Sequence, residues 1–221
     1  MSITFYGHHF SSYCQKALIA FYEHELDFTF REIDFQNEEI MQELGALWPI
    51  KKMPVIVDQG RSVIESSIIV EYVDEKYHGD SRLIPQDADS ALDTRFMDRF
   101  FDNYVATPQM KLVIDAMRSA GDKDPYGVTK AKEMLETSYA WLDDKMKNRE
   151  WAIGDDFTLA DCAAGPHLFY THWSHPIDAR FEHLLAYRNR LMARPSFARC
   201  IDDGRPFRSF FPLDVPHMDL D

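Results

Sequence analysis

The sequence predicts an α/β domain with the element order βαβαββα, followed by a domain built only of helices. Short β-branched and aromatic runs alternate with helical spacing up to residue 77, whereas the downstream chain keeps a helical period without a convincing strand. Residues 78–87 between them show no sustained period. We therefore predict an N-terminal domain at 1–78, a linker at 79–89 and an all-helical domain at 90–221.

Seven elements are predicted in the first domain. The strands are Ile3–Tyr6, Phe28–Ile33, Pro54–Val57 and Ser62–Ile64. The helices are Gln15–Glu25, Asn37–Leu47 with Asn37 as N-cap, and Ser66–Tyr77 with Ser66 as N-cap. Asp58-Gln59-Gly60-Arg61 is a hairpin turn signal between the last two strands.

Five helices are predicted in the second domain. They are Ser90–Arg118, Tyr126–Asn148, Leu159–Trp173, Ala179–Ala193 and Ser196–Asp202. The clearest local signal is Thr158 three residues before Asp161, which predicts a capping box with Asp in place of the usual Glu. Losing such a cap typically costs ~1 kcal/mol of stability.

Composition excludes several classes of function. The chain has 221 residues, 45% of them hydrophobic, and a formal net charge of −13, which would repel nucleic acid and anionic lipid. Three widely spaced cysteines match neither a disulfide framework nor a zinc motif. No apolar run approaches a membrane span, and the first ten residues lack the pattern of a signal peptide. We therefore expect a cytoplasmic protein with no membrane, nucleic-acid or metal partner.

The segment Ser11-Ser12-Tyr13-Cys14 follows the first strand and opens the first helix. In a thioredoxin-like unit the first position of a C-x-x-C motif lies at this helix N-terminus, where the dipole stabilises a thiolate. Here that position is Ser11. A serine hydroxyl without a neighbouring base is a poor nucleophile but a good donor to the thiolate of another molecule. The pattern indicates a bound thiol.

Four segments together resemble the cytosolic glutathione transferases of the serine type, a group that includes the theta, zeta and tau classes and bacterial relatives. In order they are Ser11-Ser12-Tyr13-Cys14-Gln15-Lys16, Lys51-Lys52-Met53-Pro54-Val55, Glu65-Ser66-Ser67-Ile68-Ile69-Val70-Glu71-Tyr72 and Gly154-Asp155-Asp156-Phe157-Thr158-Leu159-Ala160-Asp161. The resemblance implies a thioredoxin-like first domain that binds glutathione as co-substrate. It also implies a helical second domain that forms the pocket for a small hydrophobic electrophile.

The resemblance assigns roles to six residues. Ser11 would donate to the glutathione thiolate, Met53 would pair through its backbone before a cis bond to Pro54, and Glu65 with Ser66 would bind the γ-glutamyl end. Lys52 is assigned to the glycyl carboxylate. Trp48 replaces an asparagine of the family, however, and this leaves open which of Lys51 and Lys52, if either, makes that contact. Homodimerisation is also implied, with apolar residues of the third and fourth helices as the interface: Ile69, Tyr72, Val73, Phe96, Phe100 and Phe101.

Three functions stay open at this point. The leading hypothesis is transfer of glutathione to a hydrophobic electrophile. The second is glutathione-dependent reduction of a peroxide or disulfide, which uses the same thiolate. The third is a non-catalytic member of the fold that binds ligands or protein partners.

Several residues also have simpler interpretations. Ser11 and Ser12 are typical helix caps, and Cys14 is either inert packing or a redox thiol. His8 and His9 border the predicted pocket and are either substrate contacts or ordinary loop residues. His167, His172 and His175 do not form a complete metal set. Asp98 and Asp102 lie one turn apart, on a solvated face or directed at the glutathione of another subunit. The tail 205–212 either covers the electrophile pocket or packs along the first domain.

Overall fold

The computed structural model describes residues 3–79 and 81–215. Its first part contains β1 Ile3–Gly7, α1 Ser12–Glu23, β2 Phe28–Glu32, α2 Glu38–Leu47, β3 Val55–Asp58, β4 Arg61–Ile64 and α3 Ser66–Tyr77. The predicted order βαβαββα is therefore confirmed. The outer ends of the predicted domains, at residues 1 and 221, and Asp80 of the predicted linker lie outside the described residues.

The four strands form one sheet in the order β2-β1-β3-β4. β1 runs parallel to β2, with Ile3 opposite Phe28, and antiparallel to β3, with Phe5 opposite Ile56. The β3–β4 hairpin follows the predicted turn, with Gly60 at φ 81°, where a glycine adopts a left-handed conformation without steric cost. This topology brings the start of α1 and the residues just before β3 to neighbouring positions.

The second part of the structure is helical throughout. It comprises α4 Ala88–Phe100, a π-helical segment Phe101–Ala106, α5 Thr107–Met117, α6 Pro125–Met146, α7 Leu159–Ser174, α8 Glu182–Ala193, α9 Pro195–Gly204 and short 3₁₀ turns at Ala120–Asp122 and Arg205–Phe210. The prediction of one uninterrupted helix over 90–118 is wrong, because the π-helical segment divides this region into α4 and α5. In the described part of the chain downstream of residue 77, only two isolated β-bridges occur and no strand.

Two helices join the halves of the molecule. All residues of α1 from Cys14 to Phe21 are buried, and α1 packs against α3 on one side and against α7 and α9 on the other. α7 is buried from Leu159 to Trp173, and its predicted capping box between Thr158 and Asp161 is present. Helices that are buried on several sides belong in the interior of a domain, and these two form the centre of the core.

Two helix starts and one helix cap differ clearly from the predictions. α1 begins at Ser12 with Ser11 as N-cap, and α8 begins at Glu182 and not at Ala179. Ser66 is the first residue of α3 and does not cap it, because Glu65 holds the cap position without a side-chain hydrogen bond. By contrast, Asn37 caps α2 as predicted and accepts from the N–H groups of Glu39 and Ile40.

Candidate functional site

Ser11 lies at the N-terminus of α1, where unpaired backbone N–H groups and the helix dipole favour negative charge. Its Oγ accepts the Cys14 N–H at 3.3 Å, so Ser11 is the helix cap that its residue type suggests. A hydroxyl that accepts one bond still has a proton to donate. The capping interpretation and the donor interpretation of Ser11 are therefore compatible.

A cleft of about 220 Å³ lies between the first domain and the α4 region, and we call it the first cleft. The lining includes Lys52, Met53, Pro54, Glu65 and Ser66. These are five of the six residues that sequence reasoning assigned to glutathione binding. Trp48 also lines this cleft, so the residue that departs from the family pattern is part of the same cleft.

Glu65 and Ser66 are held at the junction between β4 and α3. Glu65 has φ 72°, a conformation that costs a non-glycine residue on the order of 1–3 kcal/mol. Its carboxylate is exposed, whereas Ser66 is buried at the N-terminus of α3. An ammonium can meet the Glu65 carboxylate while a carboxylate meets the first N–H groups of α3. The junction is suited to both charged ends of one amino acid.

The Met53–Pro54 bond is cis, as the resemblance implied. Of the two neighbouring lysines, only Lys52 lines the first cleft. The side chain of Lys51 lies against Gly45 of α2, so close that a Cβ added to that glycine would be 2.8 Å from Cε of Lys51. Lys52 is therefore the one of these two lysines that borders the first cleft.

A second cleft, of about 690 Å³, begins where the first one ends. Met53 borders both, and Ser11 borders the second. Its other lining residues are His8, Phe10, Glu32, Ile33, Asp34, Phe35, Gln36, Phe207 and Phe210. This cleft is therefore built largely from the first domain. The aromatic 3₁₀ turn of the tail forms one wall, so the tail both covers a pocket and packs along the first domain.

A buried charge cluster lies behind the first cleft. The fully buried Lys16 ammonium is 2.6 Å from Oδ1 of Asp98 and 2.9 Å from Oδ1 of Asp102. Arg99 pairs with both carboxylates from the exposed side. The prediction of a solvated face for Asp98 and Asp102 is wrong, because α1 presents Lys16 to them. Asp102 and Arg99 also line the first cleft, so the cluster forms its floor.

His167 completes the cluster from α7. Its Nε2 is 2.9 Å from Oδ1 of Asp102, and Tyr13 packs edge-on against its ring at 5.0 Å. Burial lowers the pKa of His167, and the neighbouring carboxylate only partly offsets this. Burial acts to raise the pKa of Asp102, but the His167 bond and the Lys16 charge hold it well below its usual range. Near pH 7 the cluster therefore contains a neutral imidazole at His167 and an ionised carboxylate at Asp102.

The three cysteines are free and buried. Burial raises the pKa of the Cys14 thiol to about 11, even though its hydrogen bond with the Ser11 side chain acts to lower that pKa. A thiol with this pKa contains almost no thiolate at neutral pH, and the Cys14 side chain is also fully buried. Both facts support the interpretation of Cys14 as a packing residue and not as a redox thiol. Within 3–79 and 81–215, no group of three or more His, Cys, Asp or Glu side chains is arranged to hold a metal ion.

Two family models match the chain, and both describe the same superfamily. "Glutathione S-transferase, N-terminal domain" matches residues 5–81, and "Glutathione S-transferase, C-terminal domain" matches residues 105–195. The chain belongs to the glutathione transferase superfamily. The superfamily fold, a thioredoxin-like domain followed by a helical domain, is the fold observed here.

Relatives from plants and bacteria agree with this membership. A probable glutathione S-transferase of Nicotiana tabacum is 36% identical over 114 residues, 52% of this chain and 47% of the relative, so the alignment spans about half of the tobacco protein. Glutathione S-transferase U19 of Arabidopsis thaliana is 27% identical over 208 residues, 90% of each chain.

Solved structures extend the comparison to the whole fold. A glutathione S-transferase of Methylobacillus flagellatus with glutathione bound superposes with a TM-score of 0.83 at 25% identity, over 90% of this chain and 98% of that one. A second glutathione S-transferase, from Methylobacterium radiotolerans in complex with glutathione sulfonate, superposes with a TM-score of 0.79 at 28% identity, over 90% of this chain and 94% of that one.

Sequence reasoning missed three groups at this site. Tyr13 and Arg99 line the first cleft, and Lys16 supports its floor. Lys16 carried a usable signal, because it is the one charged residue among the consecutive buried positions of α1, and a lysine there needs an acidic partner. The partner was not identifiable, since Asp102 is 86 residues away in the sequence.

Proposed function

We propose that the protein is a glutathione transferase of the serine type, in which Ser11 activates the glutathione thiolate for attack on a small hydrophobic electrophile. The observation that carries this proposal is the grouping of Lys52, Met53, Glu65 and Ser66 around one cleft that adjoins Ser11. The bound glutathione and glutathione sulfonate named for the two bacterial structures support the same ligand here.

The charges of the first cleft fit the γ-glutamyl group. Its ammonium would meet the Glu65 carboxylate, and its carboxylate would meet Ser66 and the N-terminus of α3. Lys52 is then available for the glycyl carboxylate. With these ends fixed, the cysteinyl unit would lie beside Met53, which borders both clefts, and the sulfur would approach Ser11.

The energy required for activation is modest. Lowering a thiol pKa from about 8.5 to about 6.5 takes ~2.7 kcal/mol of preferential thiolate stabilisation. One charge-assisted hydrogen bond from Ser11 supplies roughly 1.5–3 kcal/mol. The N-terminus of α1 adds to this, so no general base is required.

The second substrate would bind in the second cleft. Ser11 forms part of its wall, and Phe10, Phe207 and Phe210 give it apolar surface. A molecule bound there would meet the sulfur directly. This location modifies the expectation that the helical domain alone forms the electrophile pocket.

Glutathione titration by calorimetry and a substrate panel test the proposal together. We expect saturable glutathione binding and conjugation of a chloronitrobenzene. A hydroperoxide and a mixed disulfide of glutathione test the reductase hypothesis, which the buried Cys14 makes less favourable but which Ser11 alone can serve. Binding without turnover of any of the three would support the non-catalytic alternative, and absence of glutathione binding would refute the proposal.

We also propose a homodimer formed through α3 and α4. The residues predicted for the interface are mostly in the intrachain core, because Ile69, Val73 and Phe101 are fully buried. Phe96 is the predicted residue that is exposed (50%), and Ile68 (53%) and Leu92 (65%) are further exposed apolar residues on these helices. The Arg95–Glu71 ion pair at 2.9 Å joins α4 to α3, one helical turn from Leu92 and Ile68. The exposed residues thus form a patch suited to a two-fold contact.

Three free, buried cysteines are consistent with a reducing cytoplasm, which we propose as the location. In the described ranges, no helix is both long and apolar enough to span a membrane.

A further inference from the structure

Gln15 is a buried amide on the first turn of α1, with only 1% of its surface exposed. Its Nε2 donates to the carbonyl oxygen of His9 at 2.8 Å and to that of Cys200 at 3.2 Å. Because a backbone carbonyl only accepts, these two contacts fix which end of the amide carries the N–H groups. The same nitrogen lies 3.1 Å from the hydroxyl oxygen of Tyr170. One side chain therefore joins the loop before α1 to both α7 and α9.

The loop that Gln15 holds leads directly into Ser11. The Ser11 N–H donates to the carbonyl of His8 at 3.0 Å, and the Ser11 carbonyl accepts the backbone N–H of Gln15 at 2.9 Å. The side chain of Gln15 holds the carbonyl of His9, which lies between His8 and Ser11 in the chain. The backbone of Ser11 is therefore anchored on both sides by the same residue. A change at Gln15 would reach the Ser11 hydroxyl through this backbone.

The contact between α9 and the loop is tight. A Cβ added to Gly204, at the end of α9, would lie 3.3 Å from Nε2 of Gln15 and 3.4 Å from the carbonyl oxygen of His9. Gly204 has φ −79°, a conformation that any residue adopts, so the backbone does not require glycine here. The glycine instead leaves room for the amide and the loop carbonyl. The helical domain thus restricts the position of the loop closely.

We propose that Gln15 is a positioning residue for Ser11, whose amide holds the loop of residues 8–10 against α7 and α9 so that the Ser11 hydroxyl stays directed at the glutathione sulfur. This inference rests on the proposed transferase function and adds a residue that lines neither cleft. A hydrogen bond weakens steeply as its angle departs from linearity, so a loosened loop would weaken the donation from Ser11. Activation of the thiolate in the first domain then depends on α9 of the helical domain.

Gln15→Met tests the role of the amide, because it keeps a similar side-chain volume and removes the donor. We expect the pKa of the bound glutathione thiol to rise by up to about one unit and kcat near pH 6.5 to fall up to about tenfold, with the glutathione KM changed less than about twofold. The thiolate is measured from its ultraviolet absorbance in a pH titration of the glutathione complex. His8 and Glu32, which line the second cleft, are the same in every variant, so differences from the wild type report on the loop.

Two further variants separate positioning from stability. Tyr170→Phe removes the hydroxyl beside Gln15 but keeps the ring, which packs edge-on against Phe10 at 5.3 Å, and both bonds from Gln15 to backbone carbonyls. It should lower Tm and leave the pKa of the bound thiol at the wild-type value. Gly204→Ala disturbs the same contact from α9, because the loop or the amide must give way by a few tenths of an ångström. It should raise the pKa of the bound thiol in the same direction as Gln15→Met, by a smaller amount.

A double-mutant cycle with Ser11→Ala shows whether Gln15 acts through Ser11. In that background Gln15→Met should cause no further rise in the pKa of the bound thiol, because no hydroxyl remains to be positioned. Equal shifts in Gln15→Met and Tyr170→Phe, or an undiminished effect of Gln15→Met without Ser11, would overturn the proposal. So would an unchanged pKa in both Gln15→Met and Gly204→Ala. If Gln15→Met does not fold, Gly204→Ala and its own cycle with Ser11→Ala decide the same question. A wild type that does not bind glutathione would refute the proposed function itself, which is a different result.

Discussion

The hydroxyl oxygen of Ser11 accepts the amide N–H of Cys14 at 3.3 Å, and this bond fixes the side chain at the start of α1. Ser11→Ala should lower kcat for conjugation roughly 10- to 100-fold, because the thiolate loses a charge-assisted bond worth about 1.5–3 kcal/mol. Glutathione affinity should change little, since the other contacts remain. Steady-state kinetics with varied glutathione measure both quantities.

Ser12→Ala and Ser11→Thr are the controls for that experiment. Ser12 is the first residue of α1, and its substitution should leave turnover near normal. Ser11→Thr keeps a hydroxyl and a capping oxygen, so it should recover most of the lost rate. A larger defect in Ser12→Ala than in Ser11→Ala would move the activating role to Ser12.

Glu65 combines a binding role with an unfavourable backbone conformation, and two substitutions separate them. Glu65→Gln removes the charge and keeps the φ of 72°, so the glutathione KM should rise while Tm stays unchanged. Glu65→Gly should raise KM similarly, but its Tm should equal or exceed that of Glu65→Gln, because glycine adopts positive φ without steric cost. Differential scanning calorimetry alongside kinetics checks this; an unchanged KM in both variants would remove Glu65 from the binding site.

Ser66 was predicted from the sequence both to bind the γ-glutamyl end and to cap α3, and the capping role is wrong. Its place beside the first cleft fits the first prediction, but no sequence pattern indicates that Glu65 adopts a positive φ and takes the cap position itself. The strands, α2 and α7 were predictable because their spacing and caps are local. Lys16, Asp102 and His167 were not, because their pairing depends on how α1, the π-helical segment and α7 meet in the core.

The neutral His167 should make stability depend on pH. Its folded pKa lies below the unfolded value of about 6.5, so the unfolded chain binds more protons as pH falls through that window. The contribution of His167 to the free energy of unfolding is therefore fully present above about pH 6.5 and declines below it. Urea unfolding at pH 7.5 and 5.5 should show a smaller loss for His167→Gln than for the wild type.

The exposed His183 is the matched control for the titration of His167. His183→Gln should show the same loss of unfolding free energy between the two pH values as the wild type. An identical loss in His167→Gln and wild type would mean that other groups account for the whole acid dependence.

Cys14 should be dispensable for activity and unreactive in the folded state. Its side chain is fully buried and its pKa is about 11, so a thiol reagent has neither access nor thiolate to attack. Cys14→Ala should keep the conjugation rate, with a stability loss of about 1 kcal/mol for the lost packing. Titration with a chromogenic disulfide should detect no free thiol until urea is added, whereas rapid labelling of the native protein would contradict this.

The proposed dimer contact centres on Phe96. Phe96→Asp should shift the mass from twice 25.8 kDa towards the 25.8 kDa of one chain, because a charge would be buried without a partner. Tyr126 is exposed at the start of α6, where the neighbouring Gly127 lies beside Lys111 of α5, so Tyr126→Asp should leave the mass unchanged. Light scattering at micromolar concentration measures both, and a monomeric wild type would refute the contact.

Lys16 belongs to the first half of the chain, while the groups that neutralise it, Asp98 and Asp102, belong to the second. Each half is therefore electrostatically incomplete. Isolating the first would leave an ammonium in an apolar interior, and isolating the second would leave two buried carboxylates that share the single cation of Arg99. A hybrid made by joining residues 1–78 to the helical half of a relative would fold only if that relative supplies acidic residues at both positions. Recombination between members of the superfamily is thus restricted by a charge balance that neither half can satisfy by itself.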